Sequence, residues 1–113
     1  MDNIEGQLSE LKNSFPDKDI KQYDEAGTTY IMIPAVMLPE TCSPNVVDLL
    51  LCPTQRDGYP SRLFFSEKVM SKTIRNWNTC TVILGRQWQA YSWKLVTNDT
   101  YLKMILGHLK ALE

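Results

Sequence analysis

The chain has 113 residues, 43% of them apolar and 22% charged, with a formal net charge of −1. That length suits one domain with a core of its own, residues 1–113, and excludes two. The near-neutral charge excludes a global field that would gather nucleic acid or an acidic membrane, and no apolar run is long enough to span a bilayer.

In chain order, residues 2–13 form the first expected element, a short helix. Asp2 and Glu5 have capping-box spacing, and Ile4, Leu8 and Leu11 share one face. Phe15-Pro16 ends it. "DIKQYDEAGTTYIMIPAV" predicts two strands joined by the turn Asp24-Glu25-Ala26-Gly27, with Pro34 at an edge or a bulge. "VVDLLLC" predicts a third strand, apolar enough to be covered on both faces. "PTQRDGYPS" is a turn-rich connection and "RLFFS" a short fourth strand. Residues 66–79 show no period and predict an extended surface loop whose charges, Lys68, Lys72 and Arg75 against Glu67, read as a solvated face, with a docking patch as the alternative. Asn98 to Leu112 predicts a helix capped by Asn98, with Leu102, Ile105, Leu109 and Leu112 on one stripe. Strands flanked by helices argue for an α+β fold: a helix, a four-stranded meander, a long loop holding Cys80, and a final helix.

Three cysteines, Cys42, Cys52 and Cys80, form an odd set without CxxC spacing, which points to free thiols in a reducing cytoplasm. The acidic N-terminal stretch lacks the apolar core of a signal peptide, which agrees with that compartment. With His108 the cysteines could make a metal site in principle, but no pair has the short spacing of structural zinc ligands, so neither metal nor cofactor is expected. Cys52 reads as a packing residue, and Cys42, in a proline-bounded loop, as an exposed one. Cys80 is open to two readings: a small core residue before "TVIL", or a thiol presented for chemistry. His108, the single histidine, flanks the apolar stripe of the last helix or serves as a general base. Tyr59-Pro60 fixes a turn, and Trp88 and Trp93 pack the loop onto the helix.

Tyr59-Pro60 after the third strand, then Cys80 followed by an apolar run and Trp88 eight positions on, then a helix, resembles the ubiquitin-conjugating (UBC) superfamily. "GYPSRLFFSE", "NWN", "ILGRQWQAYSWK" and "MILGHLKAL" resemble, more narrowly, the bacterial branch called prokaryotic E2 family E. The resemblance implies a UBC-like α+β fold with a central C-terminal helix. It also implies a conjugating enzyme of acyltransferase type, acting on a bacterial ubiquitin-like modifier. The implied partners are that modifier, a ThiF-type activating enzyme and a JAB-type peptidase of the same pathway. Cys80 would accept the modifier's carboxyl as a thioester and pass it to an amine or another nucleophile, a task suited to a thiol. The His-Pro-Asn tripeptide of eukaryotic members is replaced by Asn76-Trp77-Asn78. Asn78, with Asn76 in reserve, is therefore the candidate oxyanion donor. The alternative of a different class is a non-catalytic UBC-like adaptor that holds the modifier or its activating enzyme. A third is an unrelated small α+β binding domain.

Overall fold

The structure, a computed structural model, describes residues 4–95 and 100–112. Its elements are α1 (Ile4–Ser14), β1 (Lys21–Glu25), β2 (Thr28–Met37), β3 (Val46–Cys52), β4 (Arg62–Phe65), β5 (Thr79–Ile83), β6 (Arg86–Ala90) and α2 (Tyr101–Lys110). All six strands join one antiparallel sheet in the order β1-β2-β3-β4-β6-β5.

Three of its connections use one device. Ala26-Gly27 joins β1 to β2, Leu84-Gly85 joins β5 to β6, and Asp57-Gly58 closes a turn between Arg56 and Tyr59; all six residues have positive φ. Positive φ at both central positions is the backbone of the type I′ turn, whose twist matches that of antiparallel strands. Between Ile33 and Val36 the β2–β3 register slips, so Pro34 sits in a bulge and Ala35 takes φ 51°. The Ala35 N–H donates to Asp48 Oδ1 at 2.7 Å, and Arg86 reaches the other Asp48 oxygen at 2.7 Å. Burial pushes the Asp48 carboxyl up, but these two partners outweigh it and hold the group below its ordinary range.

Alternate residues of the sheet feed two cores. Ile31, Ile33, Leu49, Leu51, Leu63 and Phe65 face the helices, where they meet Leu11, Met104, Ile105 and Leu112. Tyr30, Leu50, Cys52, Phe64, Ile83 and Trp88 form a second cluster on the opposite side. Among the described residues no helix side chain belongs to that second cluster, yet Leu50, Phe64 and Trp88 are wholly buried. The sheet covers them by curling. Its two hairpin tips meet where the Leu84 N–H donates to Glu25 Oε2 at 2.8 Å.

The expected UBC-like arrangement is therefore corrected: the sheet has six strands rather than four, and Cys80 lies within β5 rather than on a long loop. The physical reason is local. "TCTVI" is rich in β-branched residues and "RQWQA" pairs with it across Leu84-Gly85, so a stretch expected as part of a loop is a hairpin. The final helix is an end element packed on α1 and one face of the sheet, not a central one. It begins at Tyr101 with Thr100 as its cap, the Thr100 hydroxyl accepting the Lys103 N–H at 3.3 Å. Asn98 and Asp2, the expected caps, lie outside the described residues. The buried stripe of α2 is Tyr101, Met104, Ile105 and His108, so only Ile105 of the four expected stripe residues falls in it. Leu112 is buried just beyond the helix, and Leu102 and Leu109 are partly buried against the same core. Cys42, expected at the surface, is buried, and burial raises its thiol pKa.

Candidate functional site

β5 is an edge strand, hydrogen-bonded on one side to β6. Its register sets Thr79 opposite Ala90, Cys80 opposite Gln89 and Thr81 opposite Trp88. Because neighbouring side chains point to opposite faces, Thr79 and Thr81 share a face with the buried Ala90 and Trp88. Cys80 and Val82 take the other face, and both are exposed. The Gln89 side-chain amide donates to Cys80 Sγ at 3.2 Å, a contact that holds the sulfur at a fixed place on the surface.

Asn78 is two residues away and turns elsewhere. Its Oδ1 accepts from Arg62 Nη2 at 3.0 Å and from the Thr79 hydroxyl at 3.1 Å, and its Nδ2 donates to the Tyr59 hydroxyl at 3.4 Å. Arg62 is the centre of this cluster. Only 2% exposed, it also donates to Thr79 Oγ1, to the Tyr91 carbonyl and to Asp57 Oδ2, and its guanidinium lies 4.4 Å from the centre of the Tyr59 ring. Such a buried cation is tolerated because both terminal nitrogens of its fork find acceptors and its face finds a ring. Tyr59 shares a hydrogen bond with Ser92 at 2.9 Å, which together with Asn78 lowers its pKa. Tyr59-Pro60 is thus bound into a polar joint between the Arg56–Tyr59 turn and the segment entering β5. Asn76 is exposed, and its carbonyl accepts the Ser92 N–H at 2.8 Å.

His108 is 3% exposed and lies against Ser61, with Nε2 and Oγ 3.1 Å apart. Burial, with the nearby Arg62 charge as a second cause, brings its pKa down to about 4. The imidazole is therefore neutral at neutral pH. A serine and a histidine at hydrogen-bond distance are the elements of an activated nucleophile, but both are buried here, so no substrate reaches the pair. Its role is to fill the inner end of α2 with a satisfied polar group. Trp88 is wholly buried in the second core, its Nε1 donating to the Ile83 carbonyl at 3.2 Å. It packs on the face away from the helices, in contrast to the expected packing of a loop onto the final helix; Trp93 is partly buried on the helix side.

The structure brings Asn78 and Tyr59 together around Arg62, sets Cys80 apart with Gln89, and buries His108 on Ser61. Sequence reasoning missed Arg62, Ser61 and Gln89. The sequence does carry one signal for Arg62: it shares a strand face with Phe64 in "RLFF", where a charge needs partners to be buried. Gln89 became a neighbour of Cys80 only through the unforeseen hairpin. Among the described residues no group of three or more His, Cys, Asp or Glu side chains forms a candidate metal site. No helix among them is long and apolar enough to cross a membrane. Compared with known proteins, the chain matches no family model, no curated protein and no solved structure.

Proposed function

We propose that the chain is a non-catalytic docking module that takes an extended segment of a protein partner onto the free edge of β5. The partner is a ubiquitin-like modifier or its ThiF-type activating enzyme, in a bacterial cytoplasmic conjugation pathway that also includes a JAB-type peptidase. The observation that carries the docking reading is the contrast between the sheet's two edges. β1 reads Lys-Gln-Tyr-Asp-Glu and is guarded by charge, whereas β5 reads Thr-Cys-Thr-Val-Ile and has none. Uncharged edges of β-branched residues are the ones that accept an added strand, with main-chain hydrogen bonds giving affinity and alternate side chains giving choice. The link to ubiquitin-like proteins rests on the sequence motifs alone. Free thiols at Cys42, Cys52 and Cys80 fit a reducing compartment.

A second reading, the acyltransferase with Cys80 as thioester carrier, is favoured by the exposed thiol and the Gln89 amide beside it. It ranks second because Asn78 is committed to Arg62 and His108 is buried, which leaves the thiol without either expected helper. One experiment separates the two. The protein is mixed with the modifier, ATP and the activating enzyme, and the mixture is run with and without reductant. The docking reading expects amide-exchange protection over residues 79–83, unchanged in Cys80→Ser and lost in Val82→Lys, and no covalent adduct. A reductant-sensitive adduct that disappears in Cys80→Ser would establish the enzyme instead. No protection and no adduct would remove β5 from the account altogether.

A further inference from the structure

A second surface lies on the connection between β4 and β5 and shares no residue with β5. Val69, Met70, Ile74 and Trp77 wall a groove of about 170 Å³, and Lys68, Ser71 and Arg75 complete its lining. Two of the apolar walls are turned outward: Met70 is 74% exposed and Ile74 87% exposed. The groove is nevertheless held in shape from behind. Trp77 packs edge-on against Phe65 and Tyr91, with ring centres 5.2 and 5.0 Å away. Met70 exchanges two backbone hydrogen bonds with Ser43, both 2.8 Å. Arg75 donates from Nε to the Ala111 carbonyl at 2.5 Å and lies 4.6 Å from the Trp93 ring centre. A preformed groove avoids the ordering cost that a mobile loop would have to meet on binding.

Charge selects the occupant. Residues 67–75 hold three cations, Lys68, Lys72 and Arg75, against one carboxylate, Glu67, in a chain whose net charge is −1. Two of those cations line the groove and no carboxylate does. We propose that this groove binds a short acidic segment of a protein partner, seating one large apolar side chain between Met70, Ile74 and Trp77 while flanking carboxylates meet Lys68 and Arg75. An exposed methionine at such a rim adapts its shape to the inserted side chain. Apolar anchor and acidic flank together give a mode in which burial supplies affinity and charge supplies choice of partner.

The probe is a fluorescein-labelled synthetic peptide with a central leucine flanked by glutamates, followed by fluorescence anisotropy. Binding should saturate and weaken as salt rises, since the carboxylate contacts are exposed to screening. Ile74→Glu and Lys68→Glu, both at exposed positions and checked for folding by circular dichroism, should each lower affinity about tenfold or more. Replacing the leucine with serine, or the glutamates with lysines, should abolish binding. Equal binding of the lysine peptide would overturn the charge argument. Absence of saturation up to about 1 mM, or an unchanged affinity in Ile74→Glu, would overturn the site. If sedimentation instead shows a wild-type dimer that Ile74→Glu dissociates, the groove serves a second copy of the chain and the proposal fails. None of these outcomes bears on β5.

Discussion

The Asn78 carboxamide oxygen accepts a hydrogen bond from the buried Arg62 guanidinium at 3.0 Å, and so is turned away from Cys80, two residues along the chain. Removing it should therefore register in stability rather than in thiol chemistry. Asn78→Ala is expected to lower unfolding free energy by about 1–2 kcal/mol, the scale of a hydrogen bond lost from a charged donor. The alkylation rate of Cys80 should stay within about twofold, because its contact is with Gln89. Chemical denaturation and a timed alkylation series measure the two effects. A large change in thiol rate would mean that the asparagine serves Cys80 after all.

Arg62 should be far less replaceable than its neighbour. Arg62→Ala leaves Asn78, Asp57 and the Tyr91 carbonyl without their common donor, and a loss of about 3–5 kcal/mol is expected. Arg62→Lys should recover only part of this, since an ammonium cannot serve the same divergent acceptors or lie flat over Tyr59. Equal stability of the lysine variant and the parent would show that charge alone, not the planar fork, holds the joint.

Acid stability should report on His108. Its folded pKa of about 4 lies below the ordinary value of 6.5, so the unfolded chain binds this proton more readily than the folded one. The neutral imidazole costs nothing above pH 6.5; stability then falls as pH drops and levels off below about pH 4. The full loss is about 3 kcal/mol. Comparing denaturation curves of the parent and His108→Gln between these limits isolates the effect, and the variant should lack this part of the slope.

Thiol accessibility separates the three cysteines. Iodoacetamide applied to the native protein should label Cys80 quickly, while Cys42 and Cys52 react only after unfolding, which peptide mass spectrometry resolves by position. Native labelling of Cys52 would contradict its place in the second core.

Packing of α2 is tested by Ile105→Ala. The side chain is wholly buried between helix and sheet, so a loss of about 2–5 kcal/mol is expected by thermal or chemical unfolding. A change under about 0.5 kcal/mol, normal for surface sites, would move the helix off the sheet.

Much of the first half of the fold was readable in the sequence. The Ala26-Gly27 turn, the disturbance at Pro34 and the doubly covered Leu49-Leu50-Leu51 run each follow from backbone limits or from unbroken apolarity. The second half was harder. Leu84 occupies a left-handed turn position that branched or bulky residues usually avoid, so "VILG" looks like one apolar run and hides a reversal. The inward face of α2 was misplaced because His108 is polar by type and buried in fact, its cost met by Ser61. The site suffered most: the resemblance set Asn78 beside Cys80 as its helper, and two residues apart share a side only if both lie in one regular strand. β5 begins at Thr79, one residue too late for Asn78.

The tie between the hairpin tips also bears on how fast the molecule can assemble. Glu25 and Leu84 are 59 residues apart in sequence, and the Gln7 side chain accepts the Tyr101 N–H across 94 residues. Each of the two-residue hairpins can close within microseconds, but these distant closures spend chain entropy before any burial repays it. The rate should therefore be limited by these distant closures rather than by the hairpins. Stiffening the hairpin turns, which close before that barrier, would then chiefly speed folding, whereas strengthening contacts made after it would chiefly slow unfolding.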